Sequence, residues 1–300
     1  MLAEKLHALR ARLREYGSCL VAYSGGVDSA FLAHVACEVL GEKSLAVIAD
    51  SPSLPRRELA DALAIAERFA FPVRVIHTRE FEDENYTSNP VNRCYFCKHE
   101  LFEQLAPIAR KERLAVIAYG ENASDAGDFR PGATAAAEFQ VHAPLKEVGL
   151  TKHEIREISA QRGLPTADKP QMACLSSRVP HGESVTPAKL RMIEAAENVL
   201  RDLGFRDVRV RHHALGVTSD KWPVTGKEQA ASSSPATRHL SPVTCLARIE
   251  LGPEEIPGIL ADGLLARVTE ALKSIGYTHV TLDLDGYRRG GADRGNARQD

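Results

Sequence analysis

Residues 19–40, CLVAYSGGVDSAFLAHVACEVL, run an apolar strand-like segment through two glycines and straight into a helical pattern. A short, near-continuous apolar run reads as a strand buried on both faces, because a strand with one wet face would alternate apolar and polar residues. A strand followed by a crossover helix has its next neighbour parallel to it. The pattern recurs: SLAVIAD (44–50), PVRVIHT (72–78) and LAVIAYG (114–120) read as further strands, and VHAPL (141–145) as a fifth. Helices are predicted over 28–40, 56–69 and about 98–111. The first half is therefore predicted to be α/β, a doubly wound parallel sheet with helices on both faces.

Beyond about residue 170 the pattern changes. A helix over 187–203 leads to DVRVRHH (207–213), LARIEL (246–251), a helix over 264–275 and HVTLDLDGY (279–287). Strand, strand, helix, strand is a smaller α+β unit. Domains are expected at 1–172 and 173–300. A Ser-, Thr- and Pro-rich flexible insertion is expected at 214–245, and the final RRGGADRGNARQD is expected to be disordered.

Composition narrows the function classes. With 44% hydrophobic and 26% charged residues over 300, the chain can bury a sizeable core. A net charge of −2 gives no general attraction to nucleic acid or to a membrane surface. No apolar run approaches the ~20 residues of a spanning helix. The N-terminal MLAEKLHALRARLREYG reads as an amphipathic helix and not as a signal peptide. A cytoplasmic protein is expected, whose six cysteines stay reduced as ligands, nucleophiles or buried thiols.

Chemistry starts at Ser24-Gly25-Gly26-Val27-Asp28-Ser29. Glycines let the backbone approach an anion, and the helix that follows offers unpaired N–H groups and the positive end of its dipole. Ser24 and Ser29 add hydroxyl donors, and Asp28 is placed to hold Mg2+ on phosphates. The loop is neither Walker A nor GxGxxG. The bland reading, a turn with Asp28 or Ser29 capping the helix, suits a lone glycine pair better than it suits SGGVDS.

SGGVDS directly after the first strand resembles the PP-loop of the ATP pyrophosphatase superfamily. Its members cleave ATP between the α- and β-phosphates and transfer AMP to a carboxylate or carbonyl oxygen. The resemblance implies ATP at Ser24, Gly25, Gly26, Asp28 and Ser29, with Asp50 and Ser51 near adenine and ribose. It makes Gly120 and Lys152 further nucleotide-contacting positions, although Lys152 reads equally as a solvated lysine at a helix start.

Cys94 and Cys97, in RCYFCKHELF, are expected just before a helix, and Cys174 follows in KPQMACLSSRVPHGESVT. A zinc knuckle normally needs a second close Cys/His pair, and His99 alone does not make one. A redox pair needs a thioredoxin-like setting. Three thiolates suit an iron–sulfur cluster with one iron open. Together with SGGVDSAFLAHVA, GENASDAGDFRPG, VRVRHH, LARIE and VTLDLDGYRRG, these segments resemble the LarE family over nearly the full length outside 214–245. That family comprises ATP-dependent sulfur transferases that build the nickel-pincer nucleotide cofactor of lactate racemase.

The resemblance implies adenylation of pyridinium-3,5-dicarboxylate mononucleotide and displacement of AMP by sulfur to give thiocarboxylates. Sulfur comes either from Cys174 itself, which becomes dehydroalanine, or from sulfide on a 4Fe-4S cluster held by Cys94, Cys97 and Cys174. All three positions match, so the cluster form is expected. Ser177, Arg178, Arg209, Arg211 and Glu197 are implied at the substrate, the arginines at its phosphate. A homo-oligomer, hexameric in relatives, and a sulfide donor are the implied partners. The 214–245 stretch departs from the family pattern and bears on the arginine site and on subunit contacts. Cys19, Cys37 and Cys245 read as structural. Two rivals stand beside this reading: a tRNA thiolase, disfavoured by the absence of a basic, aromatic-interleaved face, and an NAD synthetase-type amide ligase, which would leave the cysteines without a role.

Overall fold

The computed structural model describes residues 2–125, 131–170, 173–215, 244–260 and 263–287. Contacts divide the chain into two compact units, Met1–Ser177 with Ser184–Leu190, and Arg178–Glu183 with Arg191–Asp300. Most of the 214–245 insertion and the C-terminal tail lie outside the described residues, as does part of GENASDAGDFRPG.

The first unit is built on four parallel strands, β1 (Cys19–Tyr23), β2 (Ser44–Asp50), β3 (Val73–His77) and β4 (Val116–Tyr119), in the order β3-β2-β1-β4. Every residue of β1 is buried. Cys19, Val21 and Tyr23 join one apolar layer, while Leu20 and Ala22 join the other. That two-sided burial is why the run carries no polar alternation. Helices α1 (Leu2–Tyr16), α2 (Val27–Leu40) and α3 (Arg56–Arg68) supply the first layer with Leu9, Leu13, Phe31 and Ala62. After the one-turn α4 (Glu84–Thr87), α5 (Arg93–Lys111) and α6 (Pro131–Glu138) supply the second layer with Phe102, Leu105 and Ala135. The short α7 (Pro144–Glu147) and α8 (Lys152–Gln161) complete the unit, and Thr151 caps α8 in a reciprocal pair with Glu154.

Two expectations are corrected here. VHAPL is not a fifth strand. His142 makes a single parallel bridge to Ala118, and Pro144, which has no N–H for a ladder, opens helix α7 instead. Helix α5 starts at Arg93, ahead of the expected Lys98, so Cys94 and Cys97 lie in its first turns and not before it. Its first turn contains no residue that disfavours helix strongly enough to delay the start.

The second unit pairs β5 (Val208–Leu215) antiparallel with β6 (Thr244–Leu251), which pairs parallel with β7 (His279–Leu282). Helix α9 (Pro187–Asp202), from Arg191 onward, belongs with it, as do α10 (Ile256–Ile259) and α11 (Leu264–Ile275). One face of this mixed sheet is apolar: Val208 and Val210 with Ala247, Ile249 and Leu251 pack against Leu200, Val268 and Leu272. Strand period two then places Arg209 and Arg211 together on the opposite face, beside their register partners Glu250 and Arg248.

Candidate active site

Strand order reverses between β1 and β4, with β2 and β3 on one side and β4 on the other, and the crevice at the carboxyl ends there is where open α/β sheets bind ligands. A cavity of about 450 Å³ opens there. It is lined by Ser24, Gly26, Asp28 and Ser29 of the glycine loop, by Gly120 and Glu121 after β4, and by Cys94 and Lys98 of α5.

The loop is fixed by its own chemistry. Gly25 has φ +70°, and a Cβ there would lie 2.7 Å from the Cβ of Ala62 on α3. Only glycine meets both conditions. The Ser29 hydroxyl accepts from the Ser24 N–H at 3.1 Å and lies 3.0 Å from the Ser24 hydroxyl, which closes the loop over the start of α2. Gly120 lets the end of β4 approach that helix start: a Cβ would lie 2.9 Å from the Ser29 nitrogen. Glycine is therefore required at position 120 by close backbone packing.

Asp28 sits in the first turn of α2, where Lys152 donates to its Oδ2 at 2.5 Å. Its Oδ1 is buried with no hydrogen-bond partner. Burial pushes the Asp28 carboxyl up against the pull of Lys152, with Asp125 adding to the rise. A buried carboxylate oxygen without a partner beside a phosphate-shaped loop fits a hard cation such as Mg2+. Asp50 and Ser51 are placed differently from the loop residues. Asp50 is ion-paired with Arg56, the Ser51 hydroxyl is 2.7 Å from that of Ser53, and the β2 residues that line the cavity are Ile48 and Ala49.

The cysteines converge within the same unit. Cys94 and Cys97 lie one turn apart on α5, which puts them on one face of the helix. The segment carrying Cys174 is tied to them through Ser176: its carbonyl accepts from Arg93 at 2.9 Å and its hydroxyl lies 2.8 Å from that of Tyr86. Burial pushes the Cys97 thiol up to about 12, with the charge of Cys174 as the next contributor. The same two causes raise Cys94. Among the described residues no three His, Cys, Asp or Glu side chains stand close enough to hold a single metal ion. A four-iron cluster spans more space and is held by thiolates. Cys94 and Cys97, both raised by burial and by the charge of Cys174, fit a cationic group of that kind.

Cys19 is buried in the core, while Cys37 and Cys245 pack against the cores of their own units, as expected of structural thiols.

In the second unit, the fully buried Arg178 donates to both oxygens of the equally buried Glu197, at 2.9 and 3.4 Å. Glu197 also accepts from Arg201 at 2.8 Å and from the Val210 N–H at 3.1 Å. The arginines hold the Glu197 carboxyl below its usual range against the opposing effect of its burial. Arg209 is buried, its guanidinium 4.6 Å from the centre of the Tyr287 ring, and burial and the charge of Arg178 lower its pKa. Arg211 is held by Glu250 at 2.9 and 3.1 Å. Ser177, in the first unit, donates to the Cys174 carbonyl at 2.8 Å.

The chain is 30% identical over 290 residues to the pyridinium-3,5-bisthiocarboxylic acid mononucleotide synthase of Lactiplantibacillus plantarum, covering 96% of this chain and 94% of that one. The chain belongs to the LarE family. It is also 41% identical over 294 residues to an uncharacterised Synechocystis protein, covering 98% of each chain, and 28% identical over 213 residues to an uncharacterised Methanocaldococcus jannaschii protein, covering 70% of this chain and 81% of that one. The NAD synthase family profile matches residues 1–92, the segment that holds the glycine loop. Within the LarE family frame, the sequence reading missed Lys98 and Glu121. Both line the cavity, and the only signal was their adjacency to motif residues Cys97 and Gly120.

Proposed function

We propose that this LarE-family chain adenylates the carboxylates of pyridinium-3,5-dicarboxylate mononucleotide with ATP and converts them to thiocarboxylates, in synthesis of the nickel-pincer cofactor of lactate racemase. The observation that carries the reading is the single cavity in which the PP-loop and Cys94 share walls. A carboxylate is a poor electrophile until its oxygen becomes part of a phosphate leaving group, and the incoming sulfur must be a strong nucleophile. The two requirements meet only where a nucleotide site and a sulfur site adjoin.

Ser24, Ser29 and the N–H groups at the start of α2 bind the β- and γ-phosphates. Asp28 would hold Mg2+ through its unpartnered Oδ1, and the ion would supply charge neutralisation there. The carboxylate oxygen attacks the α-phosphorus, pyrophosphate leaves, and sulfur then displaces AMP from the acyl carbon. Cys94, Cys97 and Cys174 would hold a 4Fe-4S cluster, which when bound would supply recyclable sulfide; without it, the Cys174 thiolate displaces AMP and elimination leaves its sulfur on the product and dehydroalanine at position 174. Arg178, Arg209 and Glu197 form the preorganised cationic site for the mononucleotide phosphate, where guanidinium geometry suits bidentate recognition. Glu197 acts by orienting Arg178.

The test is anaerobic turnover of reconstituted protein with ATP and the mononucleotide, followed by mass spectrometry of the nucleotide product. The expected product has oxygen replaced by sulfur at one or both carboxylates, with pyrophosphate released. Pyrophosphate release with no sulfur in the product would overturn the sulfur-transfer reading.

A further inference from the structure

Lys98 stands one helical turn beyond Cys94 on the same face of α5, with Cβ atoms about 6 Å apart for residues so spaced. Its stem runs against Gly132 of α6, where a Cβ would lie 3.0 Å from the lysine Cγ, and its ammonium lies 5.8 Å from the centre of the Phe102 ring. Among the described residues it has no carboxylate partner. Among the described residues, the charged side chains lining the cavity are Asp28, Glu121 and Lys98. Asp28 is held by Lys152, and Glu121 by Lys146 at 2.7 Å and by Tyr119. Among the described residues, the wall of a cavity that must take a nucleoside triphosphate together with a carboxylate therefore carries one cation, placed on the Cys94 side.

We propose that Lys98 is a catalytic residue that binds the reacting carboxylate and the α-phosphate together. This rests on the adenylating activity proposed above. In that step a carboxylate oxygen bonds to the α-phosphorus, the bond from phosphorus to the bridging oxygen breaks, and the electron pair leaves on pyrophosphate. No proton moves. Two anions must touch for this to happen, and a fixed ammonium between them offsets their repulsion as charge builds on the equatorial phosphate oxygens. The acyl adenylate formed at Lys98 then lies one turn from Cys94, so sulfur reaches the acyl carbon without the nucleotide leaving.

Lys98→Met keeps the apolar stem against Gly132 and Phe102 and removes the charge, while Lys98→Arg restores a cation. With reconstituted full-length protein, three quantities are measured: ATP–pyrophosphate exchange dependent on pyridinium-3,5-dicarboxylate mononucleotide, ATP affinity without the mononucleotide, and iron content. Lys98→Met is expected to slow exchange by about 100-fold or more, the scale for removing one preorganised charge-stabilising donor. The loss falls mainly in kcat, ATP affinity and iron content stay at wild-type levels, and Lys98→Arg recovers part of the rate. Exchange within a few-fold of wild type overturns the proposal. A parallel loss of ATP affinity makes Lys98 an ordinary phosphate ligand, and a loss of iron makes it a support of the cysteines; either result also overturns it. If wild-type protein shows no mononucleotide-dependent exchange while still binding ATP, the adenylation reading itself fails and this proposal falls with it.

Discussion

Gly25→Ala isolates the geometry that makes the glycine loop a phosphate site. Two penalties are expected. The left-handed backbone at φ +70° costs a residue with a Cβ about 1–2 kcal/mol. The new methyl, 2.7 Å from the Ala62 Cβ, overpacks a buried contact at a cost of about 1–3 kcal/mol. The loop escapes both by leaving its anion-binding shape, so the strain is expected to appear in ATP affinity more than in unfolding. A total of about 2–5 kcal/mol corresponds to a loss of roughly 30-fold to several thousand-fold in ATP affinity. Ala62→Gly removes the atom that is struck, so the double variant should regain the overpacking share and retain only the backbone share, about 5- to 30-fold. Isothermal titration with Mg-ATP measures all three variants, with circular dichroism to show that α3 tolerates the glycine. If the double variant binds no better than Gly25→Ala alone, the clash with α3 is not what fixes the loop. Wild-type affinity in Gly25→Ala would refute the phosphate-site assignment altogether.

Other perturbations test the remaining parts of the site. Asp28→Ala should abolish pyrophosphate release and the Mg2+ dependence of ATP binding; wild-type rates would show that the buried Oδ1 has no cation to hold. Cys94→Ala should lose the brown chromophore and the acid-labile sulfide of reconstituted protein yet leave ATP binding intact, and a retained cluster would remove Cys94 from the ligand set. Glu197→Ala strands the buried Arg178 and should destabilise the second unit by about 3–5 kcal/mol in urea denaturation, a cost typical of breaking a buried ion pair from one side. The folded-state pKa of Glu197 is depressed, so its contribution is present above the unfolded carboxyl value and is lost as pH falls through the folded one. Wild-type stability should therefore fall on acidification more steeply than that of Glu197→Gln, and parallel pH profiles would contradict the pairing.

Period and punctuation in the chain determined much of this protein. Uniform apolar runs specified buried parallel strands, since a strand covered on both faces has no wet side to signal. Residues 44–50 became β2 end for end, and the glycine loop was placed between β1 and α2 by its own stereochemistry. Local sequence also put Arg209 and Arg211 on one face through strand alternation. It did not decide what holds them. The bidentate grips of Glu250 on Arg211 and of Glu197 on Arg178 join residues 39 and 19 positions apart, distances at which no local pattern operates. The fifth strand and the start of α5 were misread for a related reason: short segments near a proline or a cysteine pair have no strong local preference, and packing chooses among their states. Above all, only the tertiary fold could gather Ser24, Cys94, Lys98 and Gly120 around one cavity. Each lies at the end or on the face of a separate element, and parallel crossovers bring those ends to the same edge of the sheet although the chain between them is long.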